Sequence, residues 1–244
     1  MSRPLPDSLN TPTRVSPVPR GHGVAAGLLR FGAGLGVLSA LAFPPVATAA
    51  ESAHTQTGGR NLQAESASEA ARKVAAWAIA VGDHQGMPFL IVDKIEARVF
   101  AFDRQGALLG AAPVLLGLAR GDESPLGIGQ RKLSSISPEE RVTPAGRFVA
   151  ALGENLSGKG ILWVDYDAAV SLHRVDTAKL AERRLQRLAT PSASDNRISY
   201  GCINVPVDFY ETIVDPLFKA TAGVVYILPE MRPVEEVFFA QRSK

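Results

Sequence analysis

Short runs rich in β-branched and aromatic residues, separated by turn-forming residues, follow one another from Pro88 to Pro229. Runs of this length with Gly, Asp or Pro between them are typical of strands in a meandering sheet. This pattern constrains the fold more than any other feature of the chain. It predicts a mostly β domain with a few helices, and the predicted strands are residues 88–93, 97–102, 107–116, 147–152, 160–166, 168–175 and 223–229.

Three further segments have the composition of helices. The first, Ala70–Val81, opens with the capping-type sequence Ser66-Ala-Ser-Glu-Ala, and we expect it to dock on the outside of the domain. The second, Ala178–Leu188, is amphipathic. The third, Pro206–Phe218, must end or kink near Asp215 because Pro216 has no N–H to donate. A long Gly/Ser/Pro-rich loop over residues 117–140 is expected to be functional or mobile.

The N-terminal 50 residues have the pattern of a secretory signal. Four arginines lie before or within the apolar stretch Phe31–Val46, and Ala47-Thr48-Ala49 supplies small residues for cleavage. An uncleaved N-terminal anchor is the alternative. We therefore predict a signal peptide at 1–50, a disordered leader and N-terminal helix at 51–86, one folded domain at 87–230 and a C-terminal tail at 231–244.

The charge of the chain depends on whether this segment is removed. Residues 1–50 hold four basic residues and one acidic residue, so their removal changes the formal net charge from +2 to −1. A mature chain with this balance has no polycationic face, which argues against a nucleic-acid partner. Export would place it in the periplasm or cell envelope, touching the membrane only transiently through the signal peptide.

Cys202 is the only cysteine in 244 residues, and it directly follows Gly201 in the sequence Ser199-Tyr-Gly-Cys-Ile-Asn-Val. Structural cysteines of exported proteins come in pairs, so a single thiol there has no intrachain partner. A tight Gly-Cys turn would expose the thiol beside main-chain N–H groups, as a nucleophile requires. The alternative is that Cys202 is a small buried apolar residue.

A thiol nucleophile needs a base, and histidine is the usual one. The chain has four histidines. His22 belongs to the signal segment, His54 to the leader and His84 to the link before the first predicted strand. Only His173 falls on a strand of the predicted domain, where a rigid scaffold can hold it, so His173 is the candidate base.

Three motifs in this order resemble the L,D-transpeptidase catalytic domain family: Thr143-Pro-Ala-Gly-Arg-Phe148, then Leu172-His173, then Ser199-Tyr-Gly-Cys-Ile-Asn-Val205. The resemblance covers roughly residues 88–229. It implies a sandwich-like β fold with the cysteine on a loop beside a sheet and the histidine on a neighbouring strand. It also implies peptidoglycan stem peptides as the partner, with no cofactor and no metal, and we expect a monomer.

The resemblance also implies roles for individual residues. Cys202 would attack the carbonyl of the third residue of a stem tetrapeptide, expel D-alanine and pass the acyl group to the amine of a second stem. His173 would carry the proton, held by the main-chain carbonyl of Arg174. The other implied roles are an oxyanion site at the main chain of Tyr200, Gly201 and Cys202, positioning by Ser199, and substrate contacts by Asn204 and Arg197.

Two features depart from the family pattern. Tyr200 stands where the family usually has a histidine, and a phenol cannot share acid–base work near neutral pH. The separation from His173 to Cys202 is also longer than the family norm, by about the length of the Ala178–Leu188 helix. That helix could form a wall of the cleft whose arginines meet stem-peptide carboxylates, or its charges could form a solvated face.

Two other functions remain open at the level of sequence. The same thioester could pass to water, which would make the protein an L,D-carboxypeptidase. The domain could instead be a non-catalytic module that binds the cell wall, although the pairing of Cys202 with His173 argues against this.

Overall fold

The computed structural model describes residues 65–240 together with Leu62. The predicted signal peptide, nearly all of the leader before residue 65 and the last four residues lie outside this part of the chain. Ten strands are found in the described part: β1 Phe89–Asp93, β2 Arg98–Phe102, β3 Leu108–Pro113, β4 Leu116–Gly117, β5 Gly146–Glu154, β6 Gly160–Asp165, β7 Val170–Arg174, β8 Arg197–Ser199, β9 Ile203–Val205 and β10 Gly223–Ile227.

Eight of these strands form one mixed sheet in the order β3-β2-β1-β10-β5-β6-β7-β9. The pairs β1–β10 and β7–β9 are parallel, and the other neighbours are antiparallel. Leu115 and Asn204 exchange main-chain hydrogen bonds of 2.8 and 2.9 Å, which joins the chain after β3 to β9 at the other end of the sheet. The sheet therefore curls back on itself, and the prediction of a mostly β domain is confirmed.

The main core lies inside this curled sheet. Alternate residues of a strand point to opposite faces, so each strand contributes every second side chain. The inward residues are fully or nearly fully buried and include Leu90, Val92, Val99, Ala101, Ala150, Leu162, Val164, Leu172, Ile203, Val205, Val225 and Ile227. The two halves of the sheet thus pack on each other across one core, in keeping with the implied sandwich-like arrangement.

Helix α1, Glu69–Ala80, docks on the outer face of β1, β2 and β10, as the sequence predicted. Its cap is Ser68, whose Oγ accepts a hydrogen bond of 3.0 Å from the N–H of Ala71. Trp77 of α1 meets Tyr226 of β10 edge to face, with ring centroids 6.2 Å apart. Phe238, from the segment that follows residue 230, is buried in the same cluster.

The prediction of one continuous helix over Ala178–Leu188 is wrong. The structure has a 3₁₀ turn, Leu180–Glu182, and a separate helix α2, Arg184–Ala189. Between them Arg183 has φ +49°, a left-handed conformation that costs free energy in a residue with a Cβ. The break allows the side chains of Arg184 and Arg187 to bind back to Glu182, at its carboxylate and its carbonyl oxygen.

Helix α3 consists of Val207–Phe209, a π-helical turn Tyr210–Val214 and Asp215–Phe218. The irregular turn lies immediately before the segment that contains Pro216, as expected where a proline removes a main-chain donor. The helix nevertheless continues to Phe218. Among the described residues, no helix is long and apolar enough to cross a membrane.

Candidate active site

Cys202 lies in the turn between β8 and β9, and Gly201 determines the shape of this turn. Gly201 has φ +130°, which residues with a Cβ rarely adopt. A Cβ built on Gly201 would also lie 2.8 Å from the carbonyl oxygen of Val142. The residue before Cys202 must therefore be glycine for two independent reasons.

Ser199 fixes the main chain on both sides of Cys202. Its Oγ donates to the carbonyl oxygen of Cys202 at 2.6 Å and accepts from the N–H of Gly201 at 3.0 Å. Ser199 is therefore placed for the positioning role that the resemblance implies. The N–H of Gly201 is already engaged by this side chain, so among the three implied oxyanion donors the N–H groups of Tyr200 and Cys202 are the better candidates.

The aromatic ring of Tyr200 packs under the guanidinium of Arg141, with 4.0 Å from the guanidinium carbon to the ring centroid. A cation over the face of a tyrosine ring is attracted by the ring quadrupole. This contact gives Tyr200 a structural role at the position where the family usually has histidine.

His173 lies on β7 with its ring oriented by its own main-chain neighbour. The carbonyl oxygen of Arg174 lies 2.7 Å from Nδ1, and a carbonyl can only accept, so Nδ1 carries the proton. The other ring nitrogen is then the one available to Cys202, whose thiol is among the groups that act on the pKa of the imidazole. This arrangement is the one that the sequence resemblance implied for His173, Cys202 and the Arg174 carbonyl.

The electrostatics of the pair favour a charged thiol and a charged imidazole. Burial raises the pKa of the Cys202 thiol, but hydrogen bonding and charge interaction with His173, together with contacts from Ser171, outweigh it and lower the pKa. Burial lowers the pKa of His173, but Cys202 and the Arg174 carbonyl outweigh it and raise the pKa. Both shifts favour a thiolate beside an imidazolium, the activated form of a cysteine nucleophile.

Ser171 is a site residue that sequence reasoning missed. Its Oγ lies 3.6 Å from Sγ of Cys202, and Sγ also contacts the carbonyl oxygen of Ala169 at 3.7 Å. Apolar and polar residues alternate along β7, and this could have identified Ser171 from the sequence. Val170 and Leu172 face the core, whereas Ser171 and His173 share the other face. A buried polar residue two positions before a candidate base was therefore detectable.

The side chain of Arg174 points away from the pair. Its guanidinium binds the carboxylate of Glu211 and the carbonyl oxygen of Gly160, and it lies over the ring of Tyr210 at 4.0 Å. Only the main-chain carbonyl of Arg174 takes part in the site.

Asn204 is fully buried on β9, beside His173 in the β7–β9 register. Its Nδ2 donates to the carbonyl oxygen of Cys202 at 3.4 Å, and its Oδ1 accepts from Nη1 of Arg184 at 2.6 Å. Both ends of the Asn204 amide are bound by protein groups, which favours a positioning role over the expected direct contact with substrate.

Arg197 also differs from its expected role as a substrate contact. Its side chain is only 9% exposed and binds both carboxylate oxygens of Glu230, at 3.1 and 2.6 Å, and the carbonyl oxygen of Lys94, at 2.8 Å. Lys94 in turn pairs with Asp122 at 2.9 Å and donates to the carbonyl oxygen of Thr143. Arg197 thus belongs to a buried ion network at the strand before residues 200–202, the turn of the candidate nucleophile (the nucleophile turn), which favours a structural role over the expected one.

No group of three or more His, Cys, Asp or Glu side chains that could hold a metal ion occurs within residues 65–240.

No protein-family model and no curated protein matches this sequence. Among solved structures, the chain is similar to the LD transpeptidase LdtMt1 in complex with imipenem, with 16% identity and a TM-score of 0.33 over 58% of each chain. It is similar to the catalytic domain of an E. faecium L,D-transpeptidase, with 16% identity and a TM-score of 0.31 over 57% of this chain and 95% of that one.

A third match is the helical cell shape determining protein Pgp2 from Campylobacter jejuni, with 13% identity and a TM-score of 0.36 over 60% of this chain and 49% of that one. The chain thus spans less than two thirds of the length of LdtMt1 and Pgp2. L,D-transpeptidases, the family that the sequence motifs resemble, are among the solved structures it matches. Because these TM-scores are below 0.5, we argue function from the contacts of the site.

Proposed function

We propose that this protein is an exported cysteine L,D-transpeptidase that acts on peptidoglycan stem peptides. The observation that carries the proposal is the Cys202–His173 pair, in which the Arg174 carbonyl fixes the proton on Nδ1 and both pKa shifts favour the thiolate and imidazolium. A thiol held in this way beside its base, at a glycine turn, is arranged for acyl transfer.

The proposed reaction has two halves. The Cys202 thiolate attacks the carbonyl carbon of the third stem residue, the N–H groups of the nucleophile turn stabilise the oxyanion, and the His173 imidazolium protonates the departing D-alanine amine. The resulting thioester is attacked by the side-chain amine of a second stem. Neutral His173 takes a proton from that amine, and the thiolate leaves, so the enzyme is regenerated and a cross-link is formed.

The place of action follows from the same proposal. Peptidoglycan lies outside the cytoplasmic membrane, and the export pattern of residues 1–50 would bring the chain there. We therefore propose the periplasm or cell envelope as its location, with the catalytic domain at 87–230.

The test is incubation of the purified protein with disaccharide-tetrapeptide, followed by mass analysis of the products. A cross-linked dimer with release of D-alanine supports transpeptidation, whereas a disaccharide-tripeptide alone would show an L,D-carboxypeptidase. A Cys202→Ala variant should form neither product, and the wild-type acyl adduct should map to the peptide that contains Cys202. Neither product and no adduct from the wild type would favour a wall-binding module.

A further inference from the structure

We propose that Arg184 binds the terminal carboxylate of the donor stem peptide and so restricts the reaction to peptides that end at the leaving residue. This inference rests on the proposed function and adds a specificity-determining residue to it. The residue comes from the segment between β7 and β8, which accounts for the long separation of His173 from Cys202.

Contacts with the nucleophile turn place Arg184 at the site. Its Nη1 donates to Oδ1 of Asn204 at 2.6 Å, and Nδ2 of the same amide donates to the carbonyl oxygen of Cys202 at 3.4 Å. Asn204 also lies beside His173 in the strand register. The guanidinium of Arg184 is therefore linked to the main chain of Cys202 through a single side chain, that of Asn204.

The positive charge of Arg184 affects the pKa of His173. Among the influences on His173, the positive charge of Arg184 is one that lowers the pKa of the imidazole, against the larger raising effect of Cys202. The contacts agree with this, since Arg184 binds Asn204 and Asn204 lies beside His173 in the strand register. An anion bound at Arg184 would consequently lie near the scissile bond.

The surroundings of Arg184 leave a net positive charge. Glu182 accepts from Nε of Arg184 at 2.6 Å, and the same carboxylate lies 3.6 Å from Nζ of Lys179. One carboxylate thus faces two cations. A substrate carboxylate would complete the charge balance, and arginine is the residue best suited to bind such a group.

The guanidinium is held in place before substrate arrives. Glu182 and Asn204 bind Nε and Nη1, whereas Nη2 has no hydrogen-bond partner in the part of the chain that the structure describes. The side chain is 13% exposed, so it is largely desolvated without being sealed off. Little rotamer entropy remains to be lost when a ligand binds, which favours selective recognition.

The geometry of a peptide fits this placement. In the donor, the carboxylate of the terminal residue is separated from the scissile amide nitrogen by a single Cα. With the scissile carbonyl at Sγ of Cys202, the carboxylate therefore falls a few ångströms from the thiol, and a single side chain links Arg184 to the carbonyl oxygen of Cys202.

Arg187 provides a matched control on the same helix. Its Nε donates to the carbonyl oxygen of Glu182 at 2.9 Å, and its Nη1 donates to the carbonyl oxygen of Asp195 at 2.7 Å. These contacts direct the guanidinium to the loop before β8 and not to Asn204. Replacing Arg187 removes the same charge from α2 without touching the nucleophile turn.

The experiment compares two donors, the disaccharide-tetrapeptide and the same molecule with its terminal carboxylate amidated. We expect amidation to lower kcat/KM about 10- to 100-fold for the wild type and for Arg187→Met, as for loss of a hydrogen-bonded charge pair. In Arg184→Met both donors should react at nearly the same reduced rate. Arg184→Lys keeps the positive charge but lacks the paired N–H donors of the planar guanidinium. It should therefore retain part of the preference for the acid donor over the amide donor.

The ratio between donors distinguishes recognition from a structural role, because a merely disturbed site would slow both donors equally and leave the ratio unchanged. An Arg184→Met variant with the wild-type ratio would overturn the inference. Calorimetric binding of both peptides to a Cys202→Ala variant tests it without turnover: equal affinity for acid and amide would also overturn it. Failure of the wild type to react with either donor would count against the proposed function instead.

Discussion

The hydroxyl of Thr143 donates a hydrogen bond of 2.8 Å to the carbonyl oxygen of Gly201, although the two residues lie 58 positions apart. The same Oγ1 accepts from the N–H of Gly117 at 2.8 Å, and Thr143 is fully buried. The Thr-Pro turn and the nucleophile turn, which the sequence shows as separate motifs, therefore meet at one hydroxyl. Thr143 holds the glycine that precedes Cys202 against the loop that contains β4.

Replacing Thr143 with Val should test this contact. The shape of the side chain is kept, but a buried carbonyl and a buried N–H lose their partner, so we expect a loss of about 1–3 kcal/mol in the free energy of unfolding. Turnover should fall as well, because the nucleophile turn is no longer fixed. Urea unfolding and kcat/KM measure the two effects.

Thr212→Val is the control for this substitution. The hydroxyl of Thr212 donates to the carbonyl oxygen of Asp208 on the exposed side of α3. Its loss should change stability by no more than about 0.5 kcal/mol. Equal effects of the two substitutions would contradict the role assigned to Thr143.

The pH dependence of Cys202 alkylation should reveal the thiolate–imidazolium pair. Because His173 lowers the pKa of Cys202, the labelling rate should rise with a midpoint below the free-thiol value of about 8.5. In His173→Ala the midpoint should move above that value, because burial still raises the pKa of the Cys202 thiol and His173 no longer lowers it. Rates of iodoacetamide modification over a pH series measure both midpoints.

His84→Ala serves as the control for the pH profile. His84 is buried beside Phe89, and its Nδ1 donates to the carbonyl oxygen of Met87 at 3.0 Å, in the link between α1 and β1. Its removal should leave the midpoint of Cys202 unchanged. An upward shift in His84→Ala, with none in His173→Ala, would mean that the base had been assigned to the wrong histidine.

Ser171→Ala should weaken the nucleophile without removing it. The Ser171 hydroxyl contacts Sγ of Cys202 and helps to lower the pKa of the thiol, so its loss should raise the alkylation midpoint and reduce turnover near neutral pH about fivefold, equivalent to ~1 kcal/mol. At a pH well above the new midpoint the labelling rate should recover. A loss of activity with an unchanged midpoint would reduce Ser171 to a packing role.

The buried ion network should make the protein sensitive to acid. Burial raises the pKa of Asp122, but the N–H groups of Glu230 and Met231 and the ammonium of Lys94 outweigh it, so the folded-state pKa lies below the ordinary value. The unfolded chain then binds the proton more readily, and the stabilisation present above about pH 4 is lost as the pH falls further.

Asp122→Asn tests this linkage. The substitution removes one partner of the buried Lys94, so we expect a loss of about 3 kcal/mol at pH 7. The variant should also lose less stability than the wild type between pH 5 and pH 3, because its side chain does not titrate. Urea unfolding across that range measures both effects. If the free energy of unfolding falls equally steeply with pH in the variant and the wild type, other carboxylates cause the acid sensitivity.

The seven longer strands could be predicted because their signal is local, whereas β4, β8 and β9, of two or three residues each, could not. In β1 and β10 every residue is apolar or buried, and the runs are short and bounded by turn residues, which identifies strands by length and composition. What such runs do not show is which face meets which partner. Phe89 and Ile91 turn to α1, whereas Leu90 and Val92 enter the main core, and only the packing of the helix on the sheet decides this.

The candidate pair could also be named from the sequence, since a lone cysteine after glycine and one strand histidine are the residues that the proposed chemistry needs. The sequence by itself determined a mostly β domain, and it supplied Cys202 as the candidate nucleophile and His173 as its candidate base. Only the tertiary structure decided the contacts of Arg197, Asn204 and Arg184, because the direction of a long polar side chain depends on partners distant in sequence. The side chain of Arg197 binds Glu230, and the side chain of Arg184 binds Asn204 beside the nucleophile turn.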